Sequence, residues 1–308
     1  MVKIAVIQAS AIPFEPQKTV AKAIEILSRV SQKGAQLAVF PEAFLGGYPK
    51  GVKFGSVVGN RSDEGRNLYQ KYVEGAVEIN GDEIASLIEA STTYNTIIVM
   101  GIIEKLGRTL YCTSITLEPQ KGLTGFHRKL MPTGQERLIW GFGDGSTIPV
   151  TSTAVGKIGT VICWENYMPA LRQAMYAQHV ELYCTPTADD RPTWINSMVH
   201  IALEGRVFVI SACQAIKLNE YPTEFIEQYE LNANVNDYIM HGGSVVISPL
   251  GEILAGPVYD QETEIYVDLD LSILEASNLD FDVNGHYSRP DIFTLNVNSK
   301  PQKSVIFD

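Results

Sequence analysis

The sequence predicts an α/β fold in which helices cover β-sheets from the outside, and three observations carry this prediction. Short apolar runs bounded by turn-forming residues recur along the chain, as they do in proteins with buried strands. Amphipathic helical patterns lie between several of these runs. Tight-turn sequences join other runs as hairpins. Strands, helices and hairpins mixed in this way indicate sheets with helices packed on their outer faces.

Buried strands are expected at the apolar runs, which in chain order cover residues 4–8, 37–40, 97–103, 158–163, 182–184, 208–212, 244–248 and 265–269. None of these runs approaches the roughly 18 apolar residues that a membrane-spanning helix needs. The N-terminal run meets Gln8, which makes it too short for the core of a signal peptide. We therefore expect a chain without a signal peptide or a membrane span.

Helical patterns occupy several of the segments between the strands. In the first of them, Val20, Ile24, Leu27 and Val30 lie on one apolar stripe. Residues that favour helix starts, an aspartate and two prolines, mark the others. Helices are therefore expected over 19–33, from Asp82 through Ile88, from Met168 onward, and over 192–205.

Hairpin turns and uninterrupted alternation of elements favour a single domain over residues 1–308. Turn sequences at 118–122, 155–157 and 249–251 each lie between strand-like runs. No linker, repeat or change in composition marks a boundary. The acidic segment 220–237 is interpreted as an excursion loop near a site or an interface, and the chain from about residue 285 as an extended tail.

Composition and charge narrow the classes of partner. Of the 308 residues, 45% are apolar and 19% are charged, which is typical of folded globular proteins and not of disordered chains. Lys and Arg number 24 against 35 Asp and Glu, so the net charge is −11. Because this charge repels phosphate backbones and anionic lipid surfaces, we expect neither a nucleic-acid nor a membrane partner.

The cysteines and histidines predict reduced thiols and no metal centre. The 4 cysteines lie far apart and form no C-x-x-C pair, so they are interpreted as free thiols of a cytoplasmic protein. The 5 histidines include no pair spaced four residues apart and no H-x-H. The sequence also lacks the phosphate-binding G-x-x-x-x-G-K-[ST] pattern and the G-x-S-x-G pattern of serine hydrolases.

Cys163 is the first candidate for chemistry. It ends the apolar run 158–162 and lies shortly before the helix start at Met168. A side chain between a strand end and a helix start faces a cleft, where peptide N–H groups lower the pKa of a thiol and can hold an oxyanion. A free cysteine is also commonly a small buried hydrophobic residue, and its position alone leaves both interpretations open.

Three charged residues are further candidates. Glu42 follows the strand 37–40 among apolar neighbours, where desolvation raises the pKa of a carboxyl towards that of a useful base. Alternatively, backbone N–H groups of the next loop donate hydrogen bonds to this carboxylate. Lys129 lies in a basic triplet after a hairpin strand and fits either a solvated turn or a site cation. Glu136 fits either a surface position or a partner of Lys129.

Taken together, four segments resemble the nitrilase branch of the carbon-nitrogen hydrolase superfamily. The spacing of Glu42, Lys129 and Cys163 is also similar to that of the family, and the C-W-E-N piece favours nitrilases over the related amidases. The resemblance extends from the first strand to the tail. Its segments are FPEAFLGGYP at 40–49, HRKLMPTGQERLIWGFGDG at 127–145, VICWENYMPALR at 161–172 and GHYSRPDIF at 285–293.

This resemblance implies a four-layer α-β-β-α sandwich that pairs with a second copy as a homodimer or a higher even homo-oligomer. It further implies that Cys163 is the nucleophile, Glu42 the general base, Lys129 the cation that stabilises the anionic intermediate and Glu136 a supporting carboxylate. The other cysteines are then expected to be replaceable; they are Cys112, Cys184 and Cys213.

The activity implied is hydrolysis of a small organic nitrile to a carboxylic acid and ammonia, without a cofactor. A nitrile carbon is a poor electrophile, and a thiolate is the strongest nucleophile that a side chain provides. Tyr48, Trp164 and the loop 184–191 with Thr187 are expected to border the substrate. The alternatives are an amidase or N-carbamoyl amide hydrolase with the same three residues, a cyanide-hydrolysing variant, and a binding protein that kept only the fold.

Overall fold

Two β-sheets lie face to face between outer helices in the computed structural model, which describes residues 1–148 and 150–306. The helices are α1 Pro16–Gln32, α2 Asp63–Glu74, α3 Asp82–Tyr94, α4 Pro169–Tyr176, α5 Thr193–Gly205, α6 Thr223–Glu227 and α7 Ile273–Ser277. Short 3₁₀ turns cover Gly134–Leu138, Gly145–Thr147, Cys163–Tyr167 and Leu218–Glu220. No helix in the described part of the chain is both long and apolar enough to span a bilayer.

The strands form the two large sheets and one short two-stranded sheet. They are β1 Val2–Gln8, β2 Leu37–Val39, β3 Ser56–Val57, β4 Asn60–Arg61, β5 Ile97–Leu106, β6 Thr109–Glu118, β7 Gly122–Arg128, β8 Thr151–Thr153, β9 Gly156–Thr160, β10 Leu182–Thr187, β11 Phe208–Cys213, β12 Ala215–Lys217, β13 Tyr238–Ile247, β14 Ile253–Tyr259 and β15 Thr263–Leu269.

Each large sheet combines parallel and antiparallel pairs. The first has the order β15-β1-β2-β5-β6-β7, with β1, β2 and β5 parallel and the others antiparallel. The second has the order β12-β13-β11-β10-β9-β8, and β14 pairs with β13. Its central strands β9, β10 and β11 are parallel. Parallel strands are covered on both faces, which explains why they appeared in the sequence as continuous apolar runs.

The alternation of side chains along β1 shows how the layers form. Ile4 and Val6 point into the core between the two sheets, where they join Phe208 of β11. Ala5 belongs to the other face of the sheet and packs with Leu27 of α1. Successive strand residues point to opposite faces, so one strand serves two layers of the core.

The second sheet is covered in the same way on its outer face. Met175 of α4 and Met198 of α5 pack against Val209 of β11. The layers therefore run helix, sheet, sheet, helix, and the expected α-β-β-α sandwich is confirmed.

Element ends differ from the predictions for local reasons. Strand β9 ends at Thr160 rather than at Cys163, because the chain turns there into a 3₁₀ segment. Helix α3 is capped by Gly81, and Asp82 is its first helical residue, where a negative charge suits the helix N-terminus. Helix α2 was not predicted, although Ser62 caps it by accepting a hydrogen bond from the Gly65 N–H at 3.0 Å.

The segment 220–237, predicted as an excursion loop, contains α6 and lies close to Tyr48. Tyr221 and Phe225 are buried in it, and the Tyr221 hydroxyl donates to the Tyr48 carbonyl at 2.7 Å. The described tail from 285 to 306 contains no helix or strand. Both segments therefore rest on the sandwich rather than extending its sheets.

Candidate active site

Segments that follow two strands of the first sheet bring the predicted charged residues together. Glu42 follows β2, Lys129 follows β7, and Glu136 lies in the 3₁₀ turn Gly134–Leu138. The Lys129 ammonium donates to Glu42 Oε1 at 2.7 Å and to Glu136 Oε2 at 2.8 Å. All three are buried, so the structure places one enclosed cation between two carboxylates.

Burial and opposite charges are the main causes of the pKa shifts in the triplet formed by Glu42, Lys129 and Glu136. Burial disfavours the charged form of Lys129, but the charges of Glu42 and Glu136 outweigh it and raise the pKa of the ammonium well above its usual value. Burial also raises the pKa of Glu42, and Lys129 opposes that rise. A lysine that stays charged beside a carboxyl with a raised pKa combines a fixed cation with a usable base.

Glu42 has one oxygen engaged and one available. Its Oε1 accepts from Lys129 and from the Cys112 thiol at 3.4 Å, whereas its buried Oε2 has no hydrogen-bond partner among the described residues. The Glu42 carbonyl accepts from the Gln214 amide at 3.0 Å, which holds the loop. An unpartnered buried carboxylate oxygen is costly in a folded protein, and here it can accept a proton or a donor from a bound molecule.

Glu136 is held from several sides. The Tyr48 hydroxyl donates to its Oε1 at 2.6 Å, and the Thr133 N–H donates to its Oε2 at 2.6 Å. The same Oε2 accepts from Lys129. Burial and the neighbouring carboxylates raise the pKa of Tyr48 well above its usual value, so this hydroxyl keeps its proton and remains a donor. Glu136 therefore presents a fixed carboxylate to the lysine.

Cys163 opens the 3₁₀ turn Cys163–Tyr167 with φ of 50°, a left-handed backbone conformation that residues other than glycine rarely adopt. The Thr187 side chain lowers the pKa of the Cys163 thiol and therefore lies near the sulfur. Because Thr187 Oγ1 accepts from the Asp189 N–H at 2.9 Å, its own proton is free for the sulfur. The turn and the loop 184–191 thus meet at this thiol.

The thiol form of Cys163 is favoured at neutral pH. Burial is the main cause of its raised pKa, the charge of Glu42 adds to the rise, and Lys129 and the hydrogen bond from Thr187 oppose it. Burial therefore outweighs the lowering of this pKa that was expected from N–H groups at a helix start. Cys163 needs a base to react.

Trp164 and the loop after β10 form the surface beside Cys163. The Trp164 indole N–H donates to Asp189 Oδ2 at 2.8 Å, and the Arg191 guanidinium carbon lies 4.9 Å from the centre of the Trp164 ring. Trp164 is 41% exposed, so part of its side chain is accessible to a ligand. Tyr48 borders a separate cavity of about 280 Å³ that also reaches Glu136.

Cys112 also belongs to this site, although no role in it was predicted from the sequence. The backbone N–H of Lys129 donates to the Cys112 carbonyl at 2.8 Å, and the Cys112 thiol donates to Glu42. We therefore revise the expectation that Cys112 is freely replaceable. The hairpin turn at 118–122 could have indicated this contact, because it sets the register between β6 and β7. In that register Thr113 pairs with Arg128, so Cys112 lies opposite Lys129.

One further contact beside the site joins two residues that had weaker signals in the sequence. Glu165 and His127 lie inside the family-like segments but were given no role, and the structure joins them at 3.0 Å. Cys184, by contrast, is buried in the core between the two sheets, whereas Cys213 belongs to the same buried cluster as Cys112 and Cys163. In the part of the chain that the structure describes, no group of three or more His, Cys, Asp or Glu could hold a metal ion.

Comparisons with known proteins add a family and a set of relatives. The carbon-nitrogen hydrolase family matches over residues 3–278. A nitrilase from Bradyrhizobium diazoefficiens is 48% identical over 98% of this chain and 94% of its own length. An aliphatic nitrilase from Sinorhizobium fredii is 46% identical over 98% and 97%. A bifunctional nitrilase/nitrile hydratase from Lupinus angustifolius is 49% identical over 99% and 88%.

Solved structures are similar in fold at low sequence identity. A carbon-nitrogen hydrolase from Helicobacter pylori has a TM-score of 0.73 at 19% identity, covering 94% of this chain and 96% of that one. An amidase from Nesterenkonia has a TM-score of 0.67 at 19% identity, covering 89% and 92%. At this level of identity the likeness concerns the sandwich itself.

Proposed function

This chain belongs to the carbon-nitrogen hydrolase family, and on that premise we propose that it is a nitrilase, which hydrolyses an organic nitrile to the carboxylic acid and ammonia. The observation that carries the proposal is the enclosed array of Glu42, Lys129 and Glu136 next to the thiol of Cys163. The relatives named as nitrilases are similar over nearly the whole chain, which supports a nitrile as the substrate.

The first step forms a bond between Cys163 and the substrate. Glu42 accepts the thiol proton, the sulfur adds to the nitrile carbon, and the proton passes to the nitrile nitrogen to give a thioimidate. The raised pKa of Cys163 makes this base necessary, and the unpartnered Oε2 of Glu42 supports its role as the acceptor.

The later steps add two waters and release both products. Glu42 takes a proton from the first water while the water oxygen adds to the thioimidate carbon. Lys129 stabilises the anionic tetrahedral species that forms. That proton moves to nitrogen, and the hydroxyl proton of the tetrahedral species follows it as the carbonyl forms, so the carbon–nitrogen bond breaks and ammonia leaves a thioester. A second water cleaves the thioester, which releases the acid and returns the proton to sulfur. This hydrolysis needs no cofactor.

The contacts of the residues expected at the substrate support a separate role for each of them. Trp164, which is partly exposed and follows Cys163 in the chain, is proposed to contact the organic part of the nitrile. Thr187 is proposed to donate to the sulfur. Tyr48 is proposed to act through Glu136, because its hydroxyl is already engaged there.

The test is ammonia release from a panel of aliphatic, aromatic and arylacetic nitriles, combined with mass spectrometry of the intact protein after brief exposure. Cys163→Ala is expected to abolish both turnover and the covalent adduct. Cys184→Ala serves as the control, because Cys184 is buried in the core between the sheets and is not in contact with the triplet. Retained turnover in Cys163→Ala would contradict the assignment.

Amide is the second candidate product. The lupin relative is named as both a nitrilase and a nitrile hydratase, and the tetrahedral species carries sulfur, nitrogen and oxygen on one carbon. Ammonia leaves if the nitrogen is protonated, and amide leaves if the thiolate departs instead. Chromatography of the products of one nitrile, run beside its amide as a starting substrate, measures the ratio. Faster hydrolysis of the amide than of the nitrile would make the protein an amidase.

We propose a cytoplasmic, single-domain enzyme that assembles as a homodimer or a higher even homo-oligomer. The four cysteines are free and buried, which supports a reducing compartment. The shared core between the two sheets, together with a family match over 3–278, supports one domain. Apolar side chains exposed along the tail, including Phe293 at 78%, support assembly.

A further inference from the structure

We propose that Glu165, together with His127, is a positioning unit that holds Cys163 and Lys129 at the correct separation for the reaction. The inference deepens the proposed function and rests on it. Neither residue takes part in the bond-making steps described above. Both are buried, with 1% and 3% exposure respectively, and both lie next to the reactive residues in the chain.

The carboxylate of Glu165 joins two backbone segments from different sheets. Its Oε2 accepts from the Ile162 N–H at 2.9 Å, and its Oε1 accepts from the Leu130 N–H at 2.5 Å. Ile162 immediately precedes Cys163, and Leu130 immediately follows Lys129. Because the two oxygens of one carboxyl group have a fixed spacing, these bonds fix the distance between the two segments.

His127 completes the pair and holds the carboxylate in place. Its Nδ1 lies 2.7 Å from the Thr147 carbonyl, which can only accept, so Nδ1 carries a proton. Its Nε2 lies 3.0 and 3.2 Å from the two oxygens of Glu165, which as a carboxylate also only accepts. Both ring nitrogens therefore donate, and the imidazole is positively charged beside Glu165.

The charge balance agrees with this geometry. Burial lowers the pKa of His127. The charge of Glu165 and the hydrogen bonds to Glu165 and to the Thr147 carbonyl raise this pKa by more than burial lowers it, so the net shift is upward. Burying an ion pair costs desolvation energy, and apolar residues of similar size usually give equal stability. Two apolar residues in place of Glu165 and His127 would provide no acceptors for the N–H groups of Ile162 and Leu130.

Glu165→Gln tests the two-acceptor arrangement with almost no change in size. An amide has one acceptor oxygen, and its NH₂ group would face a backbone N–H, so one of the two backbone bonds is lost. Displacing a reacting group by about 1 Å costs on the order of a hundredfold in rate. We expect kcat to fall at least tenfold, with KM changed less than threefold.

His127→Gln is the second variant, because it removes the charge without removing a donor towards Glu165. We expect a smaller fall in kcat, and we expect the double variant to lose no more than Glu165→Gln alone, since the two residues act as one unit. Glu118→Gln is the matched control, as Glu118 is also a buried carboxylate but pairs with Lys121 at the hairpin turn. It is expected to keep kcat.

Alkylation of Cys163 by iodoacetamide, located by peptide mass spectrometry, gives a readout that needs no nitrile. We expect its rate in folded Glu165→Gln to differ at least threefold from the wild type, and to be unchanged in Glu118→Gln. Unchanged alkylation with unchanged kcat would overturn the positioning role, as would a loss confined to KM. Absence of nitrile turnover in the wild type would instead contradict the proposed function, and the alkylation result would still decide the positioning role.

Discussion

At the scale of single residues, the enclosed position of Lys129 decides how much its charge matters. The ammonium is fully buried, has two carboxylate partners and lies 5.4 Å from the centre of the Trp140 ring. Water therefore screens it little, and a cation fixed in such a site stabilises a nearby anion more strongly than an exposed one would. Its neighbours act mainly by keeping it charged and in place.

Replacing Lys129 by glutamine is expected to reduce kcat about a hundredfold or more, which corresponds to about 3 kcal/mol of lost stabilisation of the anionic intermediate. Glu136→Gln is expected to reduce kcat by a smaller factor, because Lys129 then loses one of its two orienting carboxylates. Initial rates of ammonia release measure both. Lys121→Gln, in the exposed hairpin turn, is the control. Rates near the wild type in either site variant would remove that residue from the mechanism.

A second prediction at this scale concerns the hydrogen bond from the Cys112 thiol to Glu42. Cys112→Val keeps the volume but removes the donor to Glu42 Oε1, whereas Cys112→Ser keeps a donor. A hydrogen bond to a charged group contributes roughly 1.5–3 kcal/mol, so we expect kcat to fall about tenfold in the valine variant and less than threefold in the serine variant. Cys184→Val is the control. Equal kcat values for Cys112→Val and the wild type would show that Glu42 does not depend on this thiol.

At the scale of secondary-structure elements, strand β5 supports the loop that carries Glu42. The Gly101 N–H donates to the Pro41 carbonyl at 3.0 Å, and the Leu45 N–H donates to the Gly101 carbonyl at 3.1 Å. A Cβ at Gly101 would lie 2.4 Å from the Pro41 oxygen and 2.6 Å from the Cα of Glu42. Only glycine allows the strand and the loop to approach so closely.

Gly101→Ala is therefore expected to displace Glu42 and to lower kcat at least tenfold, together with a fall in melting temperature. Gly107→Ala is the control at the far end of the same strand pair. Gly107 has φ of 62° and open space around it, so an alanine there adds backbone strain without touching the site. It is expected to lower the melting temperature and leave kcat unchanged. A Gly101→Ala variant with normal kcat would show that the loop tolerates the shift.

At the scale of the whole molecule, the described part of the tail presents apolar side chains to solvent. Ile292 is 56% exposed, Phe293 78% and Ile306 75%, and none of these residues lies in a helix or strand. A cavity of about 890 Å³ separates parts of this tail from α4. Exposed apolar residues of this kind are typical of surfaces that another chain covers.

We expect light scattering of the full chain at micromolar concentration to give an even multiple of the 33.9 kDa protomer mass. Deleting residues 285–308 is expected to weaken assembly. Because the deletion also uncovers α4, the double variant Ile292→Asp and Phe293→Asp provides a milder test of the same surface. A stable monomer of the unaltered chain would contradict the proposed assembly.

The sequence by itself determined the features that depend on local order along the chain. Apolar runs located the strands because a buried strand needs consecutive or alternating apolar residues. Glu42 and Cys163 stood out because each lies at the end of such a run, and Lys129 stood out because it lies in a segment resembling one family. The hairpin turns followed from turn-forming residues between strands.

Only the tertiary structure decided which of these groups touch and how strongly each holds its proton. The contacts of Glu42 with Cys112 and Lys129 join positions 70 and 87 residues apart, and they depend on strand order and register in the folded sheets. The pKa of Cys163 rises because the folded chain excludes water from it, against the direction that the local helix start suggested. Sequence proximity does not report burial, whereas the free energy of a charge depends on its surroundings in three dimensions.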